Sequence, residues 1–216
     1  MFASIRRYRL DEGSMADLMS RVDEDFAEKI SRQPGFCSYE AIDSGDGEIA
    51  TISVFGEAEQ AEASRELAQR WSEESLSDFQ FTRLEALHGE ILVSRAVEDM
   101  LEPAHAGDSR EFGSLRRYRL RSGSIEALMH IVDETFAEQI CELPGFVAYH
   151  ALDAGAGEVL SISLFGNQEQ AEESDELALS FVRDKLGDFD LERTAVMGGK
   201  VVVSRARADV LEPAHA

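Results

Sequence analysis

Tyrosine, arginine and histidine are the side chains in this 216-residue sequence best suited to stabilising charge on an organic oxygen or moving a proton to or from it. Tyr39 and Tyr149 fall mid-way along strand-like runs, where a phenol either donates to a substrate carbonyl or enolate or is a core tyrosine satisfied by a neighbour. Arg7 and Arg117 alternate with Tyr8 and Tyr118 on the first strand of two similar segments. An inward guanidinium there either binds an anionic substrate or pairs with a carboxylate. His88 is a candidate general base in one place only, because the matching position is Gly198; near a turn it is equally an ordinary surface histidine. Trp71 and Phe181 could wall a flat aromatic ligand or simply pack a core, and Ser53 and Ser163 could line a pocket or fill the interior. No Ser/His/Asp grouping or nucleophile elbow surrounds the serines.

Metal chemistry finds little support. His105, His130, His150 and His215 form no H-x-x-x-H pair, and Cys37 and Cys141 lack a second ligand at metal spacing. The run Asp43-Ser44-Gly45-Asp46-Gly47-Glu48 is too short for a calcium loop, and the second segment carries Ala156 in place of Asp46. No metal and no cofactor is expected, and both cysteines read as reduced thiols.

The elements that must position these residues follow from periodicity. Ser4–Leu10 alternates as a strand, and Ser14 caps a helix whose face is Met15, Leu18, Met19, Val22, Phe26 and Ile30. Pro34-Gly35 ends it. Phe36–Asp43 and Ile49–Phe55 then form a hairpin around the Asp46-Gly47 turn. Glu59–Leu76 is a second amphipathic helix with Trp71 toward the core, and Glu90–Ala96 is a last strand. The order is βαββαβ, the ferredoxin-like split unit in which helices cover one face of an antiparallel sheet.

The whole pattern then recurs. At an offset of 110 residues, Ile5-Arg6-Arg7-Tyr8-Arg9-Leu10 meets Leu115-Arg116-Arg117-Tyr118-Arg119-Leu120, Pro34-Gly35-Phe36 meets Pro144-Gly145-Phe146, and the apparently unstructured tail Leu101–Ala106 meets Leu211–Ala216. Both faces of the hairpin carry bulk, so the open sheet face also needs cover. The reading is an α+β chain of two ferredoxin-like modules, 1–106 and 113–216, joined by a linker at 107–112 and packed sheet to sheet as a single-chain dimeric α/β barrel. This is an internal pseudo-dimer, and further homodimerisation is left open.

A formal net charge of −22 removes the counterion-release term that drives nucleic-acid binding, so no nucleic-acid partner is expected. No apolar run approaches the ~18 residues that cross a bilayer, and the start lacks a signal-like apolar stretch. A cytoplasmic protein without a membrane partner is the expectation.

The strings Arg6-Arg7-Tyr8, Pro34-Gly35-Phe36 with Tyr39, Asp43-x-Gly45-x-Gly47, Ile52-Ser53-Val54-Phe55 and Ala61-Glu62-x-Ser64, each repeated in the second half, resemble the antibiotic biosynthesis monooxygenase (ABM) family of the dimeric α/β-barrel superfamily. The resemblance covers nearly the whole chain. It implies a cavity between sheet and helices in each half, and activities such as cofactor-independent oxygenation of aromatic polyketides or haem degradation. Phe55 and Phe165 stand where haem-degrading members carry tryptophan, and the strand asparagine and helix histidine of those members are absent, so haem degradation is not expected. Phe55 and Phe165 become candidate substrate-contacting residues. Two functions remain open: a cofactor-independent oxygenase (an oxidoreductase) acting on a small aromatic molecule, or a non-catalytic or stress-related protein binding a small hydrophobic molecule.

Overall fold

The computed structural model describes residues 1–215; Ala216, the last residue of the copied tail, lies outside the described residues. The chain runs β1 (Phe2–Glu12), α1 (Met15–Arg21), α2 (Ala27–Ser31), β2 (Phe36–Gly45), β3 (Glu48–Phe55), α3 (Ala58–Ser75) and β4 (Gln80–Ala96), then β5 (Phe112–Ser122), α4 (Ile125–Ile131), α5 (Ala137–Cys141), β6 (Phe146–Gly155), β7 (Glu158–Phe165), α6 (Gln168–Lys185) and β8 (Asp190–Ala206). This is an α+β fold with one eight-stranded antiparallel sheet.

Two compact units divide the chain, and neither is a contiguous half. The first unit holds Met1–His88, Leu101–Arg110 and Lys200–Val210; the second holds Gly89–Met100, Glu111–Gly199 and Leu211–Ala216. The cause is strand length. β4 and β8 are each 17 residues, roughly 55 Å of extended chain, against 8–11 residues for the other strands. The sequence shows Glu90–Ala96 as strand because only its apolar stretch stands out. The preceding Gln80–Gly89 is largely polar and half exposed, yet it is strand as well. The end of β8 pairs with β2 inside the first unit, Ser38 opposite Ala206, and the end of β4 pairs with β6 inside the second, Ala96 opposite Ala148.

The first helix carries a feature that periodicity does not reveal. Between α1 and α2, Val22–Phe26 is a π turn, and Val132–Phe136 repeats it between α4 and α5. The widened turn carries the buried Asp23, which accepts from Arg205 Nη2 at 2.6 Å and from the Ala106 backbone N–H at 3.0 Å. Burial works against this charge, but the hydrogen bonds from Ala106, Arg205 and His105 outweigh it and hold the carboxyl below its usual range. The tail is therefore structured: Ala104 N–H donates to Ser204 Oγ at 2.9 Å, and in the second unit His215 meets Asp133 at 2.9 Å.

Helix and hairpin chemistry otherwise follows the sequence. Ser14 accepts from the Asp17 N–H at the start of α1, and α3 begins where Gln60 Oε1 receives the Glu57 N–H at 3.0 Å. Gly35 must be glycine: its φ is +69°, and a Cβ there would lie 1.8 Å from Gln60 Oε1. Leu18, Phe26 and Ile30 are buried under the first-unit sheet, each worth roughly 1.5–3 kcal/mol.

Candidate functional site

Register decides which side chains face the helices. Arg6 lies opposite Thr51, Ser4 opposite Ser53 and Tyr8 opposite Ile49, while on the other side of β3 Tyr39 meets Ser53. Ser4, Arg6, Tyr8, Tyr39, Ser53 and Thr51 therefore share one face of the sheet, and Arg7, opposite Ala50, points from the other.

Under that first face lies a cavity of about 80 Å³, walled by Phe26, Trp71 and Leu76 and reached at its floor by Arg6, Tyr8 and Tyr39. Such a volume admits roughly five or more waters, or a single ring, without movement of the walls. Phe26 meets Tyr39 edge-on at 5.3 Å and lies tilted against Trp71 at 4.8 Å. Trp71, the only tryptophan of the chain, is oriented by donating its indole N–H to Asp25 at 2.7 Å. Burial raises the Tyr39 phenol far above its ordinary value, and burial likewise raises Tyr8, so both stay protonated donors at neutral pH.

The second unit carries a smaller counterpart, about 40 Å³, beside Tyr118, Phe136, Tyr149 and Phe181. Tyr149 is also raised by burial. Arg116, the counterpart of Arg6, does not line it. Its guanidinium is fully buried and engaged on every side: Nε donates to Asp175 Oδ1 at 2.5 Å, Nη1 to Ser163 Oγ at 3.1 Å and Nη2 to Ser174 Oγ at 2.7 Å.

In the first unit the residue matching Asp175 is Arg65. Ser53 and Ser64 still match Ser163 and Ser174, and Ser64 donates to the Ala61 carbonyl as Ser174 does to that of Ala171, both at 2.7 Å, but Ser53 Oγ is buried without a hydrogen-bond partner where Ser163 Oγ accepts from Arg116. Arg6, 5% exposed, keeps Nη2 buried and unpartnered, and it lines the cavity. Desolvation lowers its pKa, the cations Arg65 and Arg83 push the same way, and the phenols Tyr8 and Tyr39 oppose them.

The residues singled out from sequence thus divide. Tyr39 and Trp71 come together at the first cavity, Tyr149 and Phe181 at the second. Arg7 is drawn to Glu48 at 2.9 Å and Glu85 at 3.6 Å, and Arg117 to Glu158 at 2.5 Å, so the choice of arginine on the first strand falls one residue out of register with the cavity. Ser163 supports Arg116, whereas Phe55 and Phe165 pack edge-on against Phe36 and Phe146 at 5.9 Å and line neither cavity. His88 lies exposed within β4, away from both cavities. His150 lines neither cavity; its ring is buried, contacts Ser94 Oγ at 3.0 Å, and burial lowers its pKa to about 4. Among the described residues no group of three or more His, Cys, Asp or Glu could hold a metal ion, and no helix is long and apolar enough to cross a membrane.

Arg6 is the residue that sequence reasoning passes over, since Arg6-Arg7 offers two guanidiniums with no local clue to their faces. The exchange of Asp175 for Arg65 between the repeats was the signal that distinguishes the two sites.

No family model matches the sequence, and no curated protein matches it. Solved structures do. A candidate monooxygenase of Fusobacterium nucleatum aligns over 95% of this chain and 94% of its own at a TM-score of 0.70, with 7% identity. Another, from Lactobacillus acidophilus, aligns over 98% and 97% at 0.64, with 12% identity, and an anthrone oxidase-like protein over 96% and 93% at 0.56, also with 12% identity. At such identities the likeness is one of fold.

Proposed function

We propose that the chain is an ABM-like single-chain α/β barrel built from two ferredoxin-like modules, and that its first-unit cavity is a cofactor-independent oxygenase site for a small aromatic molecule. The observation that carries this reading is an aromatic-walled cavity with two protonated phenols and a guanidinium at its floor. Similar folds named as candidate monooxygenases and as anthrone oxidase-like lend support.

Arg6, Tyr8 and Tyr39 are the polar groups on the floor, and none of them is a base at neutral pH. The substrate must bring an acidic proton of its own, as a hydroquinone or an anthrone-type ring does, and release it to water. Tyr8 and Tyr39 then donate hydrogen bonds to the ionised oxygen, while Trp71 and Phe26 hold the ring. The electron-rich anion reduces dioxygen directly. For an activated CH₂ a C–O bond forms to give a hydroperoxide, which loses water and leaves the carbonyl; dioxygen supplies one oxygen to product and one to water. A hydroquinone instead gives quinone and hydrogen peroxide. A single ring fits the cavity as it stands, and a tricyclic substrate requires the walls to part.

Oxygen uptake with a panel of hydroquinones, naphthols and anthrones tests the proposal. The expected result is turnover above the buffer rate that falls at least tenfold in Tyr39→Phe. A panel that shows saturable binding and no oxygen consumption would leave the second reading, a non-catalytic small-molecule binder with the same cavity.

A further inference from the structure

We propose that the first-unit cavity is a receptor for an aromatic oxyanion, a ring bearing a carboxylate or phenolate, and that the second unit has lost this ability by supplying the anion from its own chain. The inference names the ligand class of the cavity described above. It rests on that cavity being a binding site, not on the oxygen chemistry.

A charge is left over in the first unit. A buried guanidinium without a carboxylate is costly, and native structures pair such a group or leave it facing a ligand. Arg116 is paired by Asp175 and by two serine hydroxyls. Arg6 occupies the matching strand position beside the matching serines, yet its Nη2 has no partner and Ser53 Oγ has none either. Where an acid would stand, the helix presents Arg65, itself paired outward to Glu62. The groups that act on Arg6 are two phenols, kept neutral by burial, and two cations, so the floor is net positive.

Position puts that residue at the cavity, because Arg6 lines the first cavity while Arg116 does not line the second. The rest of the lining suits an aromatic ring. Trp71 replaces Phe181 and brings its own hydrogen-bond partner, Asp25, where the second unit has Thr135. Ser72 replaces Val182 at the same wall. A carboxylate or phenolate seated on Arg6, with Tyr8 and Tyr39 donating to it, would complete in the first unit the pairing that Asp175 completes in the second.

The test is a titration of the full chain followed by the fluorescence of Trp71, with benzoate and its neutral isostere benzamide as probes and 4-nitrophenol as a phenolate reporter. Benzoate is expected to saturate with an affinity about tenfold to a hundredfold above benzamide, the range of a charge-assisted hydrogen bond. Bound 4-nitrophenol is expected to shift in absorbance toward its ionised form. A response to benzoate alone assigns the carboxylate as the natural headgroup, and a response to nitrophenolate alone assigns the phenolate. Arg65→Asp recreates in the first unit the arrangement tolerated in the second and should abolish the preference for benzoate. Arg6→Met should do the same and decides the matter if Arg65→Asp folds poorly. Saturable and equal binding of benzoate and benzamide, an unchanged preference in both variants, or no saturable binding of any probe overturns the proposal. Charge preference without oxygen uptake would remove the oxygenase reading alone, while oxygen uptake undiminished in Arg65→Asp would remove this inference alone.

Discussion

The two cavities are walled from matching positions, with Trp71, Ser72 and Phe81 of the first against Phe181, Val182 and Leu191 of the second, and they differ in what sits on one arginine. Leu18, Met19, Val22, Phe26 and Tyr39 of the first match Leu128, Met129, Val132, Phe136 and Tyr149 of the second, residue for residue. Against that common background one helix position carries the exposed Arg65 in the first unit and the half-buried Asp175 in the second, and only the second strand guanidinium has a carboxylate partner there. Polar groups buried at low dielectric must find a partner, so changing one partner redirects the other. The difference teaches that two cavities with matching wall positions can differ in charge balance through the partner of one buried arginine.

The largest expected effect lies in a second contrast between the units, Glu40 against the fully buried His150. Burial lowers the His150 pKa from 6.5 to about 4, so the unfolded chain takes up a proton at higher pH than the folded one. Stability is whole above the unfolded pKa and falls as pH drops from about 6.5 toward 4, a loss of roughly 3 kcal/mol from this group. His150→Gln should flatten that part of the profile, seen as denaturation midpoints that change much less between pH 7 and pH 4.5 than those of the parent. An identical acid profile would mean that His150 is not the titrating group.

Next in size is the removal of the internal anion. Asp175→Ala leaves Arg116 without its carboxylate, and because Asp175 is partly solvated the loss should be about 2 kcal/mol, below that of a fully buried pair. Arg65→Ala, at an exposed ion pair, should change stability by less than about 0.5 kcal/mol. Similar melting temperatures for these two variants would break the comparison.

The smallest effect concerns the hairpin turns. Asp46 has φ +51° and Ala156 φ +53°, a conformation that suits aspartate or asparagine better than alanine. Ala156→Asn should stabilise by up to about 1 kcal/mol, while Asp46→Ala should destabilise by a similar amount, both measurable by chemical denaturation.

Much of this was legible before any coordinates. The period of Leu18, Val22 and Phe26, the Asp46-Gly47 turn and the 110-residue offset give the elements and their order, because apolar spacing and turn chemistry are local properties. Three things were not. The polar first half of β4, where Gln80 donates to Glu12 and Thr82 to Asp11 of β1, carries little strand signal in its own composition. The π turn inserts a residue without breaking the apolar stripe, and the role of Asp23 depends on Arg205, 182 residues away. The face of Arg6 was hidden because a one-residue change of register exchanges the two sides of a strand, and Arg6-Arg7 looks alike in either.

The most direct measurement is a crystal structure of the chain soaked with 4-bromobenzoate, with the bromine located by its anomalous signal. One site per chain is expected, in the first-unit cavity, with the carboxylate on the Arg6 guanidinium and no bromine beside Phe181. Equal occupancy of both cavities, or a ring bound with its carboxylate turned away from Arg6, would contradict it.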